Sequence, residues 1–173
     1  VVDGRIVTAD GDDVMGVDEL VIPGRHNVSN ALAAVATARS FGIPPERIRP
    51  AAAAFSGVEH RLELVATVDG VRFVNDSQGT QPDAVIAALR AFEPPIVLIA
   101  GGRDKGVDLS ALPPVVAERA FGAVLIGESG PDLEARFRAA GLPRTERAES
   151  LEDAVRAADS MANTPLTSAR RAR

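Results

Sequence analysis

The 173-residue chain contains no cysteine, tryptophan or tyrosine, and aromatic residues make up 3% of it. Without thiols there is no disulfide framework, thiolate metal site or cysteine nucleophile. Few rings are available for bases to stack on, and the net charge of −5 opposes a reader of phosphate backbones, so no nucleic-acid partner is expected. No apolar run is long enough to span a bilayer and no segment resembles a signal peptide, so a cytoplasmic location without a membrane partner is expected. The patterns G-x-x-x-x-G-K-[ST], H-E-x-x-H and G-x-S-x-G are missing, as is a G-x-G-x-x-G between strand and helix. Lysine is nearly absent: Lys105 is the only one.

A hydrophobic share of 46% is enough for a core, and the length suits one domain, or one domain with a piece of another. The organising stretch is 71–89. Its start alternates apolar and polar residues like a strand, and Val85, Ile86 and Leu89 recur at helical spacing after Pro82. Between them lie Asn75, Asp76, Ser77, Gln78, Gly79 and Thr80. Open α/β sheets bind ligands where a strand hands over to a helix in this way, and helix N-termini favour anions. Thr80 and Asp83 also fit a capping box with Pro82 in the first turn, so part of the turn is expected to cap the helix and the rest to meet a ligand.

Upstream, Val1-Val2, Asp3-Gly4 and 5–8 read as strand, tight turn and strand. A chain that opens inside a sheet is expected to be a piece of something longer. Residues 10–13 read as an acidic loop and 19–22 as a short strand. An Ala-rich helix follows residues 25–30 and stops near Phe41, with Gly42 as its C′ residue. A shorter helix follows Pro44-Pro45 and is distorted at Pro50. The pattern breaks at Ser56-Gly57-Val58, which puts a domain boundary between 57 and 58. Residues 62–68 form a strand that turns at Asp69-Gly70 into the organising stretch.

Beyond it, strands at 96–100, 123–126 and 145–147 alternate with helices at 113–120, 131–140 and 150–161, the last capped by Ser150 and Asp153. The continuous apolar runs suit parallel strands buried on both faces, and right-handed crossovers then give an α/β fold with a Rossmann-like, doubly wound, mostly parallel sheet. Its polar strand ends, 75–80, 101–106 and 127–130, should open on one rim. Residues 163–173 read as a disordered tail.

Asn27 and Asn30 lie three apart, so both can face one side of the helix start, where an amide suits the edge of an adenine. On spacing alone, an N-cap role for one of them is favoured. Arg61, beside His60 at the boundary, can meet a phosphate through its planar fork or be a surface arginine. Lys105 follows a buried strand in a glycine-rich loop, where its ammonium can pair with a carboxylate or phosphate, or stay solvated. Residue chemistry alone supports an α/β domain that binds an anion or nucleotide, with no assigned catalytic residue and no metal ligand.

Four motifs together carry a family likeness: Gly24-Arg25-His26-Asn27-Val28-Ser29-Asn30, His60-Arg61, Asn75-Asp76-Ser77-x-x-Thr80, and Gly101-Gly102-Arg103-Asp104-Lys105. In order and spacing the chain resembles the Mur ligases, most closely their D-glutamate-adding (MurD) type, from about Val1 to Met161. The resemblance implies that residues 1–57 are the C-terminal part of a central ATP-binding domain and 58–162 a Rossmann-like ligase domain for the incoming amino acid. It implies ATP contacts by Asn27, Asn30, Arg61 and Asp76, and substrate contacts by Ser77, Gln78, Thr80 and Lys105. The parent would be a monomer that uses ATP and Mg²⁺ to join D-glutamate to UDP-N-acetylmuramoyl-L-alanine through an acyl phosphate, in peptidoglycan precursor synthesis. Gln78 stands where this type commonly has a lysine, and the serine- and phenylalanine-bearing segment beyond the last helix is not recognisable in 163–173. The UDP-binding domain and phosphate loop lie outside the chain, so the chain alone is expected to be inactive. Other readings are a different Mur or folylpolyglutamate synthase-type ligase, or a non-catalytic nucleotide- or anion-binding module.

Overall fold

The computed structural model describes residues 1–164, so most of the tail expected at 163–173 lies outside the described residues. The chain forms two compact units, one of Val1–Glu63 with Asn75–Gln78 and one of Leu64–Val74 with the chain from Gly79 onward.

In the first unit, β1 (Arg5–Val7) pairs antiparallel with β2 (Asp13–Gly16). Asp3 and Gly4 turn with φ of 47° and 76°, as the Asp-Gly pair leads one to expect. Helices α1 (Arg25–Ser40) and α2 (Pro45–Ala53) complete the unit around Ile6, Val14, Met15, Val35 and Ile48. Two expectations are corrected. Asp13 opens a strand rather than ending a loop, pairing with Arg5 at 2.6 and 2.7 Å across β1 and β2. Residues 19–22 are not a strand: Glu19 accepts the Gly16 N–H at 2.7 Å and pairs with Arg49 at 2.8 Å, so Val17–Glu19 coils into a 3₁₀ turn. Such side-chain bonds to local backbone compete with a ladder. α1 ends as expected, with Gly42 at φ 77° after Phe41. α2 carries Pro50 inside without stopping there, since the missing N–H removes only one helical bond.

In the second unit, but for the end residues Glu63 and Asn75, β3 (Glu63–Val68) and β4 (Val71–Asn75) form a hairpin through Asp69 and Gly70, at φ 49° and 82°. Then follow α3 (Pro82–Ala91), β5 (Ile96–Gly101), α4 (Leu112–Arg119), β6 (Ala120–Ile126), α5 (Gly130–Ala139), β7 (Thr145–Ala148) and α6 (Leu151–Ala162). Strands β5, β6 and β7 make a three-stranded parallel sheet with β6 in the middle.

Side chains alternate between its two faces as the pleat requires. Ile96, Leu98, Ala100, Ala123 and Leu125 join Ile86, Val116, Leu133 and Phe137 of α3, α4 and α5. Val97, Ile99, Val124 and Ile126 join Ala154, Ala157, Ala158 and Met161 of α6. With both faces covered, β5 and β6 are continuously apolar, which makes them readable, whereas β7 (Thr145–Ala148) is a polar edge strand. α6 meets the sheet chiefly through the methyls of Ala154, Ala157 and Ala158, and a Cβ on Gly122 would overlap Met161 Sδ.

β4 is expected in this same sheet, but among the described residues it pairs only with β3. Its composition accords with that: β4 carries an exposed charged residue, Arg72, with its guanidinium 5.7 Å from the Phe92 ring centre, where β5 and β6 have none.

Candidate functional site

Residues 58–62 form a buckled turn in which the Arg61 N–H donates to the Val58 carbonyl at 3.1 Å. His60 and Leu62 take φ of 62° and 50°, a region that residues other than glycine rarely enter. The 75–78 segment holds them there. Asp76 Oδ1 accepts the Leu62 N–H at 3.1 Å, the His60 carbonyl accepts the Gln78 N–H at 3.2 Å, and Asn75 Nδ2 lies 2.9 Å from His60 Nδ1. Arg61 is exposed between the two left-handed residues. Asp76 is half-buried, and burial pushes its carboxyl above the ordinary range against the Leu62 N–H and the charges of Arg61 and His26. His26 sits in the first turn of α1, so the helix start, the 58–62 turn and the end of β4 come within electrostatic reach of one another.

Neither asparagine of α1 caps the helix: Gly24 is the N-cap, at φ 96°. Asn27, 9% exposed, donates to the Pro23 carbonyl at 2.7 Å, and its Oδ1 accepts from Asn30 Nδ2 at 3.0 Å. Asn27 therefore orients Asn30, which is exposed and keeps hydrogen-bonding capacity for a ligand.

A second cluster lies where β5 and β6 end side by side, with Gly101 opposite Ile126 in the parallel register. Gly102 donates to the Ile126 carbonyl at 3.1 Å, and its own carbonyl accepts from the N–H and Oγ of Ser129 at 3.0 and 3.2 Å. A Cβ on Gly101 would overlap the Ile126 carbonyl oxygen, so glycine is obligatory at that contact. Asp104 accepts the Gly106 N–H at 2.8 Å, and Lys105 between them is exposed, with no ion pair among the described residues.

Two of the three expected polar strand ends thus share a rim, while the third ends a hairpin strand outside that sheet. Asn27, Asn30, Arg61, Asp76, Ser77 and Gln78 belong to the first unit, and Thr80 and Lys105 to the second. The Thr80–Asp83 capping box does not form. Pro82 occupies the first helical position of α3, which makes extended Gln81 the N-cap and leaves Thr80 exposed before it. Ser77 and Gln78 are exposed, and their backbone N–H groups donate to Asn75 Oδ1 and the His60 carbonyl. Sequence reasoning missed the Asn75–His60 link and the proximity of His26 to Asp76, for which the chain offers no local signal. Among the described residues, no group of three or more His, Cys, Asp or Glu is placed to hold a metal, and no helix is long and apolar enough to cross a membrane. A surface hollow of about 580 Å³ lined by Asp3, Gly4, Arg5, Val17 and Asp18 holds none of the candidate residues.

Compared with known families, residues 60–165 match the Mur ligase, glutamate ligase domain. The chain belongs to the Mur ligase family. This Mur ligase chain is 49% identical over 156 residues to the UDP-N-acetylmuramoylalanine–D-glutamate ligase of Salinibacter ruber, a match covering 88% of the chain and 34% of that protein. It is 47% identical over 138 residues to the ligase of the same name from Pelotomaculum thermopropionicum, covering 80% and 30%. Among solved structures, Mycobacterium tuberculosis folylpolyglutamate synthase complexed with ADP is similar with a TM-score of 0.68 at 20% identity, covering 87% of this chain and 35% of that one. The chain spans about a third of the length of the curated relatives it matches. The expected family and α/β fold class are therefore borne out.

Proposed function

We propose that this chain is the C-terminal portion of an ATP-dependent ligase that joins D-glutamate to UDP-N-acetylmuramoyl-L-alanine in peptidoglycan precursor synthesis. The observation that carries the proposal is the 49% identity with the Salinibacter ruber ligase of that name. Residues 1–57 then belong to the central ATP-binding domain and 58–162 form the ligase domain. In the reaction, the muramoyl-alanine carboxylate attacks the γ-phosphorus of ATP and ADP leaves. The amine of D-glutamate next attacks the acyl carbon, inorganic phosphate departs, and the amine loses a proton to give the amide.

This chain contributes binding and orientation, which supply much of the rate in such transfers. Asn30, oriented by Asn27, meets the adenine edge. Arg61 and Asp76 face the phosphate and ribose side of ATP. Thr80 and Lys105 hold D-glutamate by hydroxyl donation and charge, and Ser77 and Gln78 are further substrate contacts. The described residues do not form a magnesium cage, so no step is assigned to Mg²⁺. The parent acts as a cytoplasmic monomer.

Three experiments test this. The full-length parent should restore growth to a strain lacking its D-glutamate ligase, whereas a binding module would not. In the 173-residue chain, D-glutamate should shift the backbone NMR signals of Thr80 and Lys105, and Lys105→Ala should abolish those shifts. The isolated chain should release no phosphate from ATP in the presence of D-glutamate.

A further inference from the structure

The Asn75 side chain has a fixed orientation. The Ser77 N–H donates to its Oδ1 at 3.0 Å, which turns Nδ2 toward His60 Nδ1, 2.9 Å away. An amide nitrogen only donates, so His60 Nδ1 must accept, and the proton of the neutral ring therefore sits on Nε2. The charged groups around the ring are Glu59, 3.6 Å from Nε2, and Glu63, 3.5 Å from Nδ1. Glu63 also accepts the His60 backbone N–H at 2.8 Å. His60 is thus held by ring, amide and carbonyl at once, with φ 62°, while Leu62 is held at φ 50° by Asp76. Left-handed residues persist only where their surroundings over-determine them. Arg61 lies between two such residues, so the direction of its side chain depends on both.

We propose that Asn75 is a positioning residue, which through the ring of His60 fixes the direction in which Arg61 presents its guanidinium to a nucleotide phosphate. The inference rests on the proposed contact between Arg61 and ATP. Asn75 touches no phosphate itself. It supplies the hydrogen that His60 Nδ1 lacks and keeps the 58–62 turn closed on the end of β4.

Asn75→Asp is the informative variant, because a carboxylate still accepts the Ser77 N–H but cannot donate to His60. Long-range ¹H–¹⁵N spectra of the 173-residue chain, recorded at alkaline pH where histidine rings are neutral, should show Nε2 protonated in wild type and Nδ1 protonated in Asn75→Asp. Binding of the non-hydrolysable analogue AMP-PNP, measured by calorimetry, should weaken roughly 3- to 10-fold in Asn75→Asp, the range of one net hydrogen bond. In an Arg61→Ala background the same substitution should have no further effect. A wild-type ring protonated on Nδ1, or an equal loss of affinity with and without Arg61, overturns the proposal. A wild-type chain that binds no AMP-PNP counts instead against the assignment of Arg61 to phosphate, and the ring spectra then decide the Asn75–His60 link on their own.

Discussion

Gly101→Ala tests the rim geometry most severely. Gly101 ends β5 at φ 141°, and a Cβ there overlaps the Ile126 carbonyl oxygen and approaches the Ile126 C and N to 2.8 and 2.9 Å. That oxygen is not free to move away, because it accepts the Gly102 N–H at 3.1 Å, and Gly102 is in turn bonded to Ser129 at 3.0 Å. Backbone strain in a glycine-only region costs about 1–3 kcal/mol. Overpacking costs about 1–3 kcal/mol and a lost hydrogen bond about 0.5–1.5 kcal/mol. Together these remove about 2.5–7.5 kcal/mol from a domain stability of about 5–15 kcal/mol. Gly102→Ala is the control: φ is 120°, but a Cβ there meets nothing within 4 Å, so only the strain remains. Urea unfolding followed through the methyl NMR signals of Val124 and Leu125, 0% and 1% exposed, should give a distinctly lower midpoint for Gly101→Ala than for Gly102→Ala. Equal midpoints would refute the close approach of the two strand ends.

Phe137, fully buried under β5 and β6, should lose about 3–5 kcal/mol on truncation to alanine, read by scanning calorimetry, and an unchanged Tm would remove it from the core. Ser150 caps α6 by accepting the Asp153 N–H at 3.1 Å. Ser150→Ala should therefore cost about 1 kcal/mol in urea melts, and Ser150→Asp much less. The carboxyls of Asp13, Glu19 and Asp108 are held below their usual range, chiefly by the Arg5 side chain, the Gly16 N–H and the Ser110 N–H respectively. Their stabilisation is complete above the unfolded carboxylate range and lost as pH falls through the folded values, so Glu19→Gln should flatten the acid limb of a stability profile. Asp76 is raised by burial and has the opposite sign: its charged form opposes folding once pH rises through the carboxylate range. Asp76→Asn keeps an oxygen for the Leu62 N–H, so urea melts should find it at least as stable as wild type at neutral pH, while AMP-PNP affinity falls.

What could be read in advance was what local chemistry dictates. β5 and most of β6 are legible because burial on both faces demands unbroken apolar residues. The start of β6 at Ala120 is not, because α4 passes into it without a turn residue. The Asp-Gly turns at 3–4 and 69–70 and the Gly42 terminus are legible because positive φ selects for those residue types. By the same rule the turn around Arg61 is hidden, since a histidine and a leucine are placed in the left-handed region by bonds from Gln78 and Asp76, far along the chain. The candidate residues themselves were identifiable by type and spacing. Which of them hold one another was not, as with Asn27 bonding Asn30 instead of capping α1.

The contrast between the two faces of the parallel sheet bears on how this chain tolerates substitution. On the α6 side Ala154 and Ala158 touch Val124, and Gly122 leaves no room beside Met161, so any enlargement has to lift the whole helix. On the other side the large residues Phe137, Leu133 and Leu142 fill the volume and cannot be shortened without leaving a hole. A library of random variants should therefore sort by layer, with enlargements lost first beneath α6 and truncations lost first beneath α3, α4 and α5.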